Sequence, residues 1–233
     1  MPEEKVVLDA DDVRRTLVRI AHEIVEKHPE PDRLALVGIH RRGAVLAARL
    51  RALLGELLDA DDVRRTLVRI AHEIVEKHPE PDRLAVVGIH RRGAVLAARL
   101  RTLLGELLGE AVPLGDLDIS FYRDDVGRHG DAPVVHSSHL DFAVDGADVV
   151  IVDDVLFTGR TVRAAIDALF DYGRPARVQL AVLADRGHRE LPIRPDYVGK
   201  NLPTAQAERV NVHVAELDGA DEVTITALAE VRA

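Results

Sequence analysis

The sequence predicts an α/β protein with a mainly parallel central sheet flanked by helices. Short apolar runs at Leu84–Ile89, Val149–Val152 and Val178–Leu183, the last interrupted by Gln179, read as strands buried on both faces. Between them stand segments with the one-face spacing of amphipathic helices. Val63, Leu67, Ile70, Ala71 and Ile74 form one such face, and Val162, Ala165, Ile166, Leu169 and Phe170 another. Strands alternating with helices place ligands at the carboxyl ends of the strands.

The length of 233 residues suffices for one generous domain, or for one domain with an addition. A formal charge of −9 argues against nucleic-acid binding through the whole surface but leaves room for a local basic patch. Aromatic residues make up only 3%, which argues against a base-stacking platform. The absence of cysteine excludes disulfides, thiolate metal sites and a cysteine nucleophile. There is no apolar run of about 18 residues, and Met1-Pro2-Glu3-Glu4-Lys5 does not lead into a signal-peptide core. A cytoplasmic location without a membrane partner is therefore expected.

Taken in order, the chain begins with a repeat. Leu8 to Leu58 recurs as Leu58 to Leu108, with only Leu36/Val86 and Ala52/Thr102 differing. Old solenoid repeats drift apart, so near-identity points to a recent tandem duplication or an artefact of sequence assembly. In the second copy, Asp59 or Asp61 caps a helix ending before Pro79, followed by the Leu84–Ile89 strand. His90-Arg91-Arg92-Gly93 is then a strand-to-helix loop, and Ala94–Leu104 a helix stopped by Gly105. The second copy alone runs directly into the later strands, so residues 58–233 form the expected domain and 1–57 an appendage. The competing arrangement puts the first copy in the native slot and loops out the second, which loop-closure entropy opposes only weakly.

Val112–Tyr122 alternates apolar Leu117, Ile119 and Phe121 with Asp116, Asp118 and Ser120, the period of a half-buried strand. Val126–Asp141 is polar and without periodicity, expected as a flexible hood over the site, with a solvated hairpin as the competing reading. A helix closed at Gly173 and the Val178–Leu183 strand lead to a long basic loop, 185–201. Val210, Val212 and Val214 alternate as a strand, Asp218-Gly219 offers a hairpin turn, and Val223–Thr226 returns as the partner strand.

The chemistry centres on Asp153-Asp154-Val155-Leu156-Phe157-Thr158-Gly159-Arg160-Thr161, between a buried strand and a helix. Backbone N–H groups at a helix N-terminus, with the Thr158 and Thr161 hydroxyls, favour a phosphate. Asp153 and Asp154 would repel that phosphate and must serve another part of the ligand, for which ribose hydroxyls are the natural candidate. An ordinary strand-to-helix turn with a capping threonine is the competing reading. Arginine forks at Arg91, Arg92 and Arg123 match phosphate oxygens, though a solvated charge cluster is the alternative.

Two acids followed by Thr-Gly-Arg-Thr resemble the loop of type I phosphoribosyltransferases that binds phosphoribosyl pyrophosphate (PRPP). Further segments narrow the resemblance: Arg-Ile-Ala-His-Glu at 69–73, Val-Gly-Ile-His-Arg-Arg-Gly at 87–93, Asp-Ile-Ser-Phe-Tyr-Arg-Asp-Asp at 118–125, and Asp-Arg-Gly-His-Arg-Glu-Leu-Pro-Ile-Arg at 185–194. Together they are similar to the PyrR family across essentially all of 58–233. The resemblance implies the type I phosphoribosyltransferase fold with a hood loop and a C-terminal β-hairpin. It implies a regulator that binds pyr mRNA leaders in response to UMP and UTP, and that also converts uracil and PRPP to UMP and pyrophosphate. Mg would enter with PRPP rather than through direct protein ligands, and a homodimer or higher homo-oligomer is implied.

Residue by residue, the resemblance assigns PRPP to His90, Arg91, Arg92, Gly93 and Asp153–Thr161, with Arg123, Asp153 and Asp154 catalytic. It places uracil at Asp185, Arg186, Gly187, His188 and Ile193. The RNA face corresponds to Arg69, His72, His188, Arg189, Arg194, Lys200 and Thr204, where a charged surface interleaved with acids is the competing reading. Purine-type relatives carry a carboxylate where this chain has Phe157. A phosphoribosyltransferase for another base and an RNA-binding nucleotide sensor with vestigial catalysis are the alternatives.

Overall fold

The computed structural model describes residues 10–27, 43, 46, 56–79, 81–120, 122, 138–202, 204–206 and 208–227. The chain divides into two units, Met1–Leu57 and Leu58–Ala233. In the first, helix α1 (Ala10–Lys27) buries Leu17 and Ala21.

Strand β1 (Glu56–Leu58) ends on the first residue of the second unit, and helix α2 (Ala60–Lys77) follows it. Of the two expected caps it is Asp59 that starts α2: its side chain accepts from the Asp62 N–H at 2.8 Å, and the Asp62 carboxylate accepts from the Asp59 N–H in return. Val63, Leu67, Ile70, Ala71 and Ile74 are the buried face, as the periodicity predicts. Strand β2 (Leu84–Ile89) is buried throughout and leads into helix α3 (Arg92–Leu108). That helix passes through Gly105, contrary to the expected stop. A mid-helix glycine costs only about 1 kcal/mol, and the extension half-buries Leu108 while leaving Leu107 exposed. The stop is Gly109, left-handed at φ 76° and donating to the Gly105 carbonyl at 2.9 Å.

Strand β3 is shorter than the expected run and spans Leu114–Leu117. Asp118 ends it by folding back: its carboxylate accepts from both the N–H and the hydroxyl of Ser120, at 2.8 and 2.5 Å. The described end of the hood forms a short strand β4 (His139–Leu140), antiparallel to β3; the rest of the expected hood, 126–137, lies outside the described residues. Strand β5 (Asp148–Leu156), helix α4 (Arg160–Phe170), strand β6 (Arg177–Asp185) and strand β7 (Tyr197–Asn201) follow. The sheet has the order β4-β3-β2-β5-β6-β7 and is parallel apart from β4. Val87, Ile89, Val149, Ile151, Leu180 and Val182 pack with Val162, Ala165 and Leu169 of α4.

Part of the expected 185–201 loop is thus strand β7, among the described residues an edge strand paired with β6. A buried polar chain fastens it: His78, 3% exposed, has Nε2 2.6 Å from Gln179 Oε1, and Gln179 Nε2 donates to the Tyr197 hydroxyl at 3.1 Å. Strands β8 (Glu208–His213) and β9 (Glu222–Ala227) are the expected antiparallel C-terminal pair. Their connection is not a tight Asp218-Gly219 turn but the one-turn helix α5 (Ala215–Asp218), capped by Gly219 at φ 83°. In the second sheet, of order β1-β9-β8, β9 is central. Among the described residues no helix is long and apolar enough to cross a membrane.

Candidate active site

From β2 the chain steps to β3 on one side, then returns to place β5 on the other. The strand order therefore reverses between β2 and β5, and a crevice opens at their carboxyl ends. The His90–Gly93 loop leaves β2 there, with a cis His90–Arg91 peptide and the His90 N–H donating to the Leu117 carbonyl at 3.0 Å. Gly93 lies flat against β5: a Cβ on it would stand 2.5 Å from the Val152 carbonyl oxygen and 3.3 Å from Asp153 Cα. Arg91 is exposed, and the Arg92 fork is held by Asp218 through Nε at 3.1 Å and Nη2 at 2.8 Å.

Strand β5 does not end at its acids but continues to Leu156, pairing Asp153 with Val182 and Leu156 with Asp185. Alternation along a strand sends the two carboxylates to opposite faces. Asp153 is 6% exposed, whereas Asp154 is half-buried. Each is pinned locally, Asp153 Oδ1 accepting from the Asp154 N–H at 2.9 Å and Asp154 Oδ1 from the Val155 N–H at 2.8 Å. Burial first, and the adjacent Asp154 charge second, push the Asp153 carboxyl well above the usual aspartate range.

Beyond β5, Gly159 takes a left-handed φ of 93° and caps α4, with Thr158 half-buried and Thr161 exposed. The turn is braced by the 185–193 loop. The Glu190 and Leu191 N–H groups donate to the Thr158 carbonyl at 3.0 and 3.1 Å, and Arg160 Nε donates to Glu190 at 2.7 Å. Phe157 lies under Arg186, whose guanidinium carbon is 4.0 Å from the ring centroid, and edge-on to His188 at 6.0 Å. Within the expected base loop, the N–H groups of Arg186, Gly187 and Ile193 are bound by Leu156 O, Asp185 Oδ1 and Leu191 O. Its carbonyls at Gly187 and Ile193 accept from Arg189 at 3.1 and 3.0 Å.

The expected RNA residues fall into two groups. Arg69, His72 and Arg194 are exposed, with Arg69 Nη2 donating to the Val198 and Gly199 carbonyls at 2.8 Å each; Lys200 is half-buried. Arg189 faces inward instead, donating to Asp185 at 2.6 Å and to the Phe157 carbonyl at 2.8 Å. Thr204 is 9% exposed, its hydroxyl accepting from Arg186 Nε at 2.8 Å and its carbonyl 2.5 Å from His188 Nε2. A basic run in sequence does not reveal which arginine turns in to satisfy its own loop.

Arg123 lies outside the described residues; its neighbour Tyr122 donates to Asp171 at the end of α4. Asp218, the partner of Arg92, carries no signal in the sequence, since it reads there as a turn residue. Among the described residues no group of three or more His, Asp or Glu side chains could hold a metal ion.

A family profile described as phosphoribosyl transferase domain matches residues 54–217. The chain is 58% identical over 216 residues to a protein named bifunctional protein PyrR from a Roseiflexus species, covering 93% of this chain and 91% of the relative. It is 56% identical over 225 residues to the protein of that name from Chloroflexus aurantiacus, covering 97% and 96%. Among solved structures, a hypoxanthine phosphoribosyltransferase from Trypanosoma cruzi in a ternary substrates complex is 21% identical with a TM-score of 0.59, covering 76% of this chain and 97% of that one. This last likeness is one of fold.

Proposed function

Since the chain belongs to the PyrR family of the phosphoribosyl transferase domain, we propose that it transfers the phosphoribosyl group of PRPP to uracil, giving UMP and pyrophosphate. We propose with it that the protein binds pyr mRNA leaders under the control of UMP and UTP, in the cytoplasm and as a homo-oligomer. The observation that carries the enzymatic reading is the close seating of Gly93 on Asp153 at the β2/β5 switch point, which sets an arginine loop against a pair of acids.

In this reading the second repeat copy, through His90–Gly93, supplies the pyrophosphate side of the site. The turn from Thr158 to Thr161 receives the 5-phosphate at the start of α4. Burial holds the Asp153 carboxyl well above the usual aspartate range, and Asp154 lies half-buried beside it. In this reading the two acids at the carboxyl end of β5 hold the ribose hydroxyls. As pyrophosphate departs, Arg91, Arg92 and Arg123 neutralise its charge. Mg suits this donor set through the oxygens of PRPP, where it would share the charge of the leaving group. Phe157, apolar and under Arg186, supplies no carboxylate for the proton that leaves N1 of uracil as the N1–C1′ bond forms and the C1′–pyrophosphate bond breaks, so that proton passes to the released pyrophosphate or to solvent. Exposed Arg69, His72 and Arg194 support the RNA reading.

The test is PRPP-dependent formation of UMP from uracil by the full chain, with Asp154→Asn beside it. A fall of roughly 10- to 100-fold in kcat/KM is expected in the variant. No turnover in the parent would remove the enzymatic reading, and an unaffected variant would remove the role of Asp154.

A further inference from the structure

The described surface of α3 is gripped by the connection between β8 and β9. Arg92 and Arg99 lie two turns apart on one face of the helix. Arg99 donates to Glu216 at 2.9 Å and to Asp221 at 3.0 and 2.8 Å, while Arg92 forms its fork on Asp218. Asp218 is itself fixed: its Oδ2 accepts from the Val214 N–H at 2.9 Å, and its own N–H donates to the Val214 carbonyl at 2.8 Å. The phosphoribosyl transferase profile ends at residue 217, so Asp218 and Asp221 stand just past the shared domain. The Asp218 hydrogen bonds raise the Arg92 pKa most, and the Asp154 charge adds a smaller contribution.

We propose that Asp218 is a positioning residue for PRPP: by holding the Arg92 fork at the mouth of the site, it couples the C-terminal strand pair to the affinity for the pyrophosphate end. This rests on the assignment of PRPP to the crevice. A freely rotating arginine loses entropy when it meets phosphate, whereas one already oriented by a carboxylate on its Nε/Nη2 edge loses less. Asp218 therefore acts on ligand binding through Arg92, without touching the ligand.

The experiment is a double-mutant cycle with Asp218→Asn and Arg92→Ala, read both as KM and kcat and as direct calorimetric binding of PRPP. Asparagine keeps an oxygen for the Val214 N–H, so α5 is retained. Expected is a rise of about 3- to 5-fold in KM and Kd for PRPP with kcat within about 2-fold, recovery in Asp218→Glu, and no further effect of Asp218→Asn once Arg92 is alanine. An unchanged or tighter PRPP affinity in Asp218→Asn would overturn the inference, as would the same increase in the Arg92→Ala background, which would mark a purely structural turn. Failure of the parent to bind PRPP would remove the underlying assignment as well, so the two failures are distinguishable.

Discussion

Gly93→Ala perturbs the proposed site at its closest approach. Its new Cβ would stand 2.5 Å from the Val152 carbonyl oxygen, against ordinary contact that begins at 3.4 Å, and both nearest neighbours are main-chain atoms of a central strand. The strand cannot yield, because Val152 is paired with both Gly88 and Ala181. The arginine loop must instead retreat by about 1 Å, a displacement that costs about 100-fold in rate when it separates groups acting on one substrate. The assay is kcat/KM for PRPP with a thermal melt in parallel. Gly43→Ala, the same change in the first repeat copy, is the control and is expected to leave kcat/KM at the parent value. A Gly93→Ala protein with parent activity would refute the close seating of the two loops. Equal losses in both variants would refute the assignment of the site to the second copy alone.

Other outcomes are expected from the same geometry. If Asp154 holds ribose as proposed, Asp154→Asn removes a hydrogen bond worth about 1.5–3 kcal/mol, and kcat/KM falls roughly 10- to 100-fold. Because the folded-state pKa of Asp153 is raised, its protonated form contributes stability that is full below about pH 4 and is lost as pH rises through the higher folded value. Asp153→Asn should therefore match the parent in thermal melts at acid pH and exceed it at pH about 8; a lower melting temperature at both pH values would contradict this. Arg189→Ala strips the Asp185 carboxylate and four carbonyls of a shared donor, a loss of about 2 kcal/mol, and the melting temperature should drop by roughly 4–8 °C. Arg194→Ala should leave melting and turnover unchanged while weakening pyr leader RNA binding and lowering the salt slope by about 1; an unchanged slope would remove Arg194 from the RNA face.

Local patterns were legible where one physical signal dominates. The buried face of α2, the apolar cores of β2, β5 and β6, and the parallel α/β class all follow from periodicity and run length. Boundaries failed where two weak signals compete. Gly105 looked like a stop but lies inside α3, because a single mid-helix glycine costs only about 1 kcal/mol and Gly109 offers the left-handed cap. Strand β7 was hidden because an edge strand pairs on one side only and needs little apolar alternation. The site residues were legible as chemistry but not as environment. Asp153 and Asp154 are adjacent letters, yet the strand turns one inward and leaves the other half-buried. Arg189 and Arg194 are both basic, yet the loop's carbonyls turn the first inward. The Arg92–Asp218 pair spans the domain, and no local pattern encodes it.

The most direct measurement of the central claim is phosphorus NMR of PRPP consumption by the full chain given equal amounts of uracil, hypoxanthine, guanine and adenine. Formation of UMP and pyrophosphate, with no purine nucleotide, is the expected result. A purine nucleotide as the main product, or PRPP left intact beside uracil, would contradict the account.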